Sequence, residues 1–123
     1  MEFTIKGELT DLNNYISAMN KNRYAGNSTK QQNTHVVALY ARKAKQDGLA
    51  ITNYPITLEI DWYVPNRRKD PDNIAFAKKY ILDGMQQAKL IRNDGFKEIA
   101  GWTERFHIDK DNPRVVIKIK ETV

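Results

Sequence analysis

Ile56-Thr57-Leu58-Glu59-Ile60-Asp61-Trp62-Tyr63-Val64-Pro65-Asn66-Arg67-Arg68-Lys69-Asp70-Pro71-Asp72-Asn73 is the stretch on which the fold turns. Its first half alternates. Ile56, Leu58, Ile60, Trp62 and Val64 lie on one side and Thr57, Glu59, Asp61 and Tyr63 on the other, the period of a strand with one face in a core. Pro65 and the basic run after it end that pattern. Asp70 followed by Pro71 is the chemistry of a helix start: an acceptor side chain at the cap, then a residue whose φ is already helical. A strand that leads through a short connector into a helix commits the chain to helices layered on a sheet.

The helix beyond is amphipathic. Ile74, Ala77, Ile81, Met85 and Ala88 share one side, and Asp72, Phe76, Lys79, Asp83 and Gln86 share the other. Asn93-Asp94-Gly95 signals a turn, and Ala100, Trp102, Glu104, Phe106 and Ile108 alternate as the next strand. Residues Asp109 to Pro113 read as a hairpin connection to a last strand, with Val115, Ile117 and Ile119 on one face and Lys118 and Lys120 on the other. Upstream, Phe3, Ile5, Gly7 and Leu9 alternate in a first strand. Thr10 caps a brief helix whose Leu12, Tyr15, Ile16 and Met19 share a face. Asn20 to Asn27 is polar, basic and glycine-containing, and reads as an exposed loop. Ser28 with Gln31 forms a capping box that opens a second helix through Val37, Tyr40, Ala41 and Ala44, with Lys43 and Lys45 in its last turn and Gly48 as its stop.

The expected architecture is a single α+β domain over residues 1–123, in the order β-α-α-β-α-β-β, with a mixed four-stranded sheet packed with helices. Trp62 and Trp102 are expected in the core, and His35 and His107 are expected to be isolated.

A chain of 123 residues supports one modest core. At 41% hydrophobic and 28% charged residues it has a globular balance, and the absence of cysteine excludes disulfides and thiolate zinc sites. No apolar run approaches the roughly 20 residues of a membrane span, and no basic-then-apolar leader opens the chain, so a cytoplasmic protein without membrane contact is expected. Lys and Arg number 20 against 15 Asp and Glu, a net charge of +5, which favours a polyanionic partner, nucleic acid foremost.

Asp70 and Asp72 at a helix start, joined by Asp94 ahead of a strand, are three hard oxygen donors of the kind that hold Mg²⁺ or Mn²⁺. Phosphodiester hydrolysis uses such an ion to polarise the phosphoryl group, activate water and stabilise the leaving oxygen. Lys79 lies two helical turns from Asp72 on the same face, with Lys78 beside it. Arg67, Arg68 and Lys69 could grip a phosphate backbone next to the acids, and Lys21, Arg23 and Lys30, interleaved with Tyr24, could extend that grip. The plain structural reading uses the same residues as a helix cap, a first-turn acid on the helix dipole, a turn residue and a solvated loop. Phe76, apolar on a polar stripe, is either a contact for a second subunit or DNA, or a single exposed ring without a role.

Arg67-Arg68-Lys69-Asp70-Pro71-Asp72-Asn73, then Ile81-Leu82-Asp83-Gly84-Met85, then Leu90-Ile91-Arg92-Asn93-Asp94 together resemble the core of the RusA-type Holliday junction resolvases. The resemblance implies a homodimer that binds four-way junction DNA and resolves it by paired symmetric nicks in recombination and repair, often as a phage or prophage function. It implies Mg²⁺ (or Mn²⁺) and no organic cofactor, and it carries the metal-binding and catalytic acids over to Asp70, Asp72 and Asp94. The chain departs from the pattern twice. Many relatives place a lysine soon after D-x-D-N, where this chain has Phe76; counting back from Asp83 puts it at Lys79, with Lys78 in reserve. Relatives often have two consecutive acids where this chain has Asn93-Asp94. Two other readings use the same surface: a nucleic-acid-binding module without catalysis, and a general branched-DNA nuclease of the same fold.

Overall fold

A computed structural model describes residues 1–122; Val123, the end of the expected domain, lies outside them. The elements are β1 (Glu2–Lys6), α1 (Leu12–Lys21), α2 (Arg23–Gln46), β2 (Ile56–Val64), α3 (Pro71–Ala75), α4 (Lys78–Gln87), β3 (Ile99–Ile108) and β4 (Arg114–Glu121). They build one α+β domain around a mixed sheet of order β1-β4-β2-β3. The alternating strand is central: β2 pairs parallel with β3 and antiparallel with β4, which in turn pairs antiparallel with β1.

The β2 side chains Ile56, Leu58, Ile60, Trp62 and Val64 are all buried, with Phe3, Ile5, Val115, Ile117 and Ile119 from the flanking strands. Helices close this layer with Val37, Ala38 and Ala41 of α2 and with the stripe Ile74, Ala77, Ile81, Met85 and Ala88. The opposite face carries polar groups. Asp61 is 8% exposed there, with His107 Nε2 2.8 Å from Oδ1 and Lys118 Nζ 3.7 Å from Oδ2. Tyr63 stacks on His107 at 4.5 Å and lies under the Arg114 guanidinium at 3.7 Å. His107 is therefore part of a hydrogen-bond and stacking network that seats β3 and β4 against β2, and is not isolated.

Other expectations are corrected. The segment Asp109 to Pro113 is no hairpin connection, because β4 lies on the far side of β2 from β3. Trp102 is 45% exposed, because β3 is the sheet edge and the helices stop short of it; Trp62, one strand inward, is buried. The first strand ends at Lys6, and Gly7 turns the chain at φ 84° while its N–H donates to the Pro113 carbonyl.

The residue before α1 that acts as cap is Asp11, whose Oδ1 accepts from the Asn14 N–H at 2.8 Å. Thr10 instead ties the helices together, its N–H donating to Asn33 Oδ1 and its hydroxyl accepting from Asn33 Nδ2.

The expected loop Asn20 to Asn27 is helical except for one residue. Asn22 stands extended between α1 and α2, donates its N–H to the Ala18 carbonyl and caps α2 by accepting from the Ala25 N–H. A Cβ on Gly26 would fall 2.2 Å from Met19 Sδ, so glycine here serves the close crossing of two helices and does not mark a loop. Ser28 and Gln31 accordingly sit inside α2 and cap nothing.

The third helix is divided. Around Phe76 and Ala77 the bonds tighten, with Ala77 N–H to Ile74 O, Lys79 N–H to Phe76 O and Tyr80 N–H to Ala77 O. Phe76 packs inward between Tyr15 (5.2 Å) and the edge of Tyr80 (5.8 Å).

The tightest approach of α2 to α4 is at Gly84, where an added Cβ would lie 2.5 Å from Val37 Cβ and 2.9 Å from the Thr34 carbonyl oxygen. Backbone on one side and a fully buried valine on the other leave little room to relax. Gly84→Ala is expected to destabilise the fold by about 1–3 kcal/mol despite the better helix propensity of alanine; an unchanged urea midpoint would refute this account of the helix contact.

Candidate active site

Asp70 occupies the cap position of α3 with an extended backbone (φ −72°, ψ 152°), yet its side chain makes no capping hydrogen bond. Asp72 sits in the first turn, where Oδ1 accepts only the N–H of its own neighbour Asn73, at 2.9 Å. Both side chains are exposed. Asp94 follows α4, its N–H donating to Asn93 Oδ1, and it is half-buried in the wall of a depression shared with Phe96, Ile99, Gly101 and Trp102.

Among the described residues these three acids form no ion pair, whereas Glu8, Asp11, Asp47, Asp61, Asp83, Glu98, Glu104 and Asp109 all do. Uncommitted carboxylates with hard oxygen donors suit a divalent cation such as Mg²⁺. The donor chemistry fits, and Asp70 and Asp72 stand two residues apart on one short turn. The third acid stands elsewhere. Because β2 and β3 are parallel, Asp70 follows the C-terminal end of one and Asp94 precedes the N-terminal end of the other, at opposite ends of a strand pair roughly 25 Å long. Among the described residues no three His, Asp or Glu side chains are grouped to hold one metal ion.

The cations divide by environment. Arg67 and Arg68 are exposed on the connector, where the Arg68 N–H donates to Asn66 Oδ1. Lys69 is engaged within the chain: its Nζ is 2.8 Å from Asp11 Oδ2 and 3.9 Å from Glu8 Oε1. Lys79 is exposed and pairs loosely with Asp83 at 3.6 Å, one helical turn on. Lys78 faces the sheet instead. Its Nζ is 3.0 Å from Glu104 Oε2 and 4.7 Å from the Trp102 ring centre, while Glu104 Oε1 accepts from Trp62 Nε1 at 3.1 Å. Of the two lysines, Lys78 thus borders the residue that walls Asp94's depression, and Lys79 faces outward. Lys21 and Arg23 are exposed where α1 meets α2, and exposed Lys30 lines a groove with His35 and Asp83.

The residues missed in the sequence are Asp11 and Glu104. Glu104 had a signal: an acid between Trp102 and Phe106 on an otherwise apolar strand face needs a buried partner. Asp11 had one too, being three residues before the Asn14 N–H that it caps.

No family model matches the chain, and no curated protein matches it.

Asp11 is 3% exposed. Burial pushes its carboxyl up, but the hydrogen bond and charge of Lys69 and the bonds from Asn14 outweigh that and hold it below the usual value of 3.8. A carboxyl depressed in the folded state contributes stability that is present above pH 3.8 and is lost as pH falls through the folded value. Asp11→Asn is expected to lower stability at pH 7 and to flatten the loss of stability below about pH 4; parallel acid limbs in wild type and variant, from urea melts across roughly pH 2–7, would contradict it.

Proposed function

We propose that this protein is a metal-dependent endodeoxyribonuclease of the RusA type, working as a homodimer that resolves four-way DNA junctions by paired nicks. The observation that carries the reading is that Asp70, Asp72 and Asp94, the acids picked out by the resemblance, stay free of ion pairs among the described residues in a chain that pairs most of its other acids. Exposed carboxylates next to Arg67 and Arg68, neither paired with them, are what a site shared by a cation and a phosphate needs. A divalent ion held there would supply Lewis-acid polarisation of the scissile phosphate and lower the pKa of the attacking water. The chain's own residues do the rest. Arg67 and Arg68 bind the backbone on the approach side, Asp70 and Asp72 hold the cation, and the outward-facing Lys79 in the first turn of α4, the next helix, meets a phosphate farther on. Lys78, shielded by Glu104 and Trp102, holds the helix against the sheet.

The separation of Asp94 from Asp70 and Asp72 gives the dimer a specific form. The unpaired edge of β3 displays Trp102 (45% exposed), Phe106 (37%) and Ile108 (50%), an apolar stripe on an edge strand that natural sheets rarely leave bare. Two copies joined antiparallel along β3 by a two-fold axis would cover the stripe and continue the sheet. Antiparallel joining sets the N-terminal end of one β3 beside the C-terminal end of the other. Asp94 of one protomer would then lie at the end of the sheet where Asp70 and Asp72 of the partner subunit begin. Two such composite sites, related by the axis, suit a substrate that must be nicked twice symmetrically.

The test is cleavage of a synthetic four-way junction and a matched duplex, with Mg²⁺ or Mn²⁺ and with chelator. Symmetric metal-dependent nicks confined to the junction, reduced at least about 10²-fold in Asp72→Asn with junction binding retained, are expected. Binding without cutting under either metal would leave a nucleic-acid-binding module, and equal cutting of duplex a general nuclease. Composite sites make a further prediction. Asp72→Asn and Asp94→Asn, each inactive alone, should regain single-strand nicking when co-expressed, because one of the two sites in a mixed dimer is then intact; no recovery in purified mixed dimers would rule out a site shared between protomers.

A further inference from the structure

The segment that carries Asp70 and Asp72 is pinned on both flanks by the start of α1. On the N-terminal flank Lys69 Nζ meets Asp11 Oδ2 at 2.8 Å. On the C-terminal flank Asn73 Oδ1 accepts the Asn13 N–H at 2.9 Å. One turn farther on, Tyr15 packs on Phe76 at 5.2 Å. Asp11 is not a loose anchor: Oδ1 accepts the Asn14 N–H at 2.8 Å and Oδ2 accepts Asn14 Nδ2 at 3.0 Å, and the residue is 3% exposed. Residues 11–15 are therefore a rigid bracket, capped by the same carboxylate that holds Lys69.

Between the two pins lie only Asp70, Pro71 and Asp72. Pro71 has its φ set by its ring. The Asp70 side chain has no capping bond and Asp72 meets only its neighbour's N–H, so neither carboxylate is oriented by a partner of its own outside the turn. Whatever fixes their directions acts through the backbone. Metal ligands must be held to about 0.5 Å to bind well, and that precision normally comes from a second layer of contacts.

We propose that Asp11 and Asn73 are positioning residues for the Asp70–Asp72 pair, clamping the backbone on either side of it, and that Lys69 serves this clamp in place of touching DNA. The inference rests on the nuclease reading. The Asn of D-P-D-N then has a definite role, because its side chain satisfies an otherwise orphan N–H in the first turn of α1. The clamp also ties the acidic pair to the start of α1, whose far end carries Lys21 and leads to Arg23.

Three variants test it. Asp11→Asn keeps an acceptor for the Asn14 N–H but removes the negative charge that Lys69 pairs with; Lys69→Met removes the other partner; Asn73→Ala, at a half-exposed position, frees the second flank. Each is measured for Mn²⁺ affinity by calorimetry without DNA, for the Mg²⁺ concentration giving half-maximal junction cleavage, for junction affinity in chelator, and for amide exchange over residues 70–76.

Expected are an increase of about tenfold in both metal constants, faster exchange over 70–76, and unchanged junction affinity in chelator. The Asp11→Asn/Lys69→Met double variant should be no worse than either single one, since both act through one contact. A lowered Tm with wild-type metal constants in all three variants would overturn the positioning role and leave the nuclease reading intact. A fall in junction affinity in chelator confined to Lys69→Met would overturn the reassignment of Lys69. A wild type that neither binds Mn²⁺ nor cuts would overturn the nuclease reading and this role with it.

Discussion

The parallel pairing of β2 with β3 is the constraint on which the rest of the molecule depends. A parallel pair cannot be closed by a tight turn, so the chain must leave the C-terminal end of β2, cross the sheet and re-enter at the N-terminal end of β3. That crossover is α3 and α4, and its apolar stripe from Ile74 to Ala88 joins the buried side chains of β2 in one core. The same path puts Asp70 and Asp72 where the crossover begins and Asp94 where it has ended. The acids are adjacent in motif order and separated in space for one and the same topological reason.

The sheet order extends that logic to the surface. With β4 drawn to the other side of β2, nothing remains in the described residues to pair with the outer edge of β3. The edge keeps three large apolar side chains on the helix side, and cover reaches them where Lys78 meets Trp102 and Glu104. That cluster joins an indole N–H, a carboxylate and an ammonium at the border of the core. Its carboxylate is satisfied on both oxygens, which is what lets an acid sit on an apolar strand face. On the far side of the sheet Asp61 does the same with His107 and Lys118, so each face of β2 is stitched to its neighbours by one shielded carboxylate.

Charge in this chain consequently has two roles that composition cannot separate. Lys69, Lys78, Arg114 and Lys118 are engaged with acids of their own chain, while Arg67, Arg68, Lys21, Arg23 and Lys30 have no ion-pair partner among the described residues. The second group is exposed cationic surface. It lies on the connector before Asp70, at the α1–α2 corner and along α2, and the Asp11–Lys69 and Asn13–Asn73 contacts tie the connector and α3 to the start of α1.

The period-2 pattern of Ile56 to Val64, the helical stripe from Ile74 to Ala88 and the Asp70-Pro71 helix start were legible in the residues alone, because each depends on local periodicity or on backbone chemistry within a few positions. The sequence by itself thus determined the fold class and the core faces of β2, β1 and β4. What it could not carry was anything decided by a distant neighbour. Gly26 reads as a loop residue until Met19 is seen against it, Trp102 reads as core until β3 proves to be an edge, and Asp109–Pro113 reads as a hairpin until β4 is found beyond β2. Lys69 reads as one more cation of a basic run until Asp11, 58 positions earlier in the chain, is seen 2.8 Å from its Nζ. Only the tertiary structure decided these, since strand order and ion-pair partners are settled by which elements pack together, and a hydrophobic period says which face is inward without saying against what.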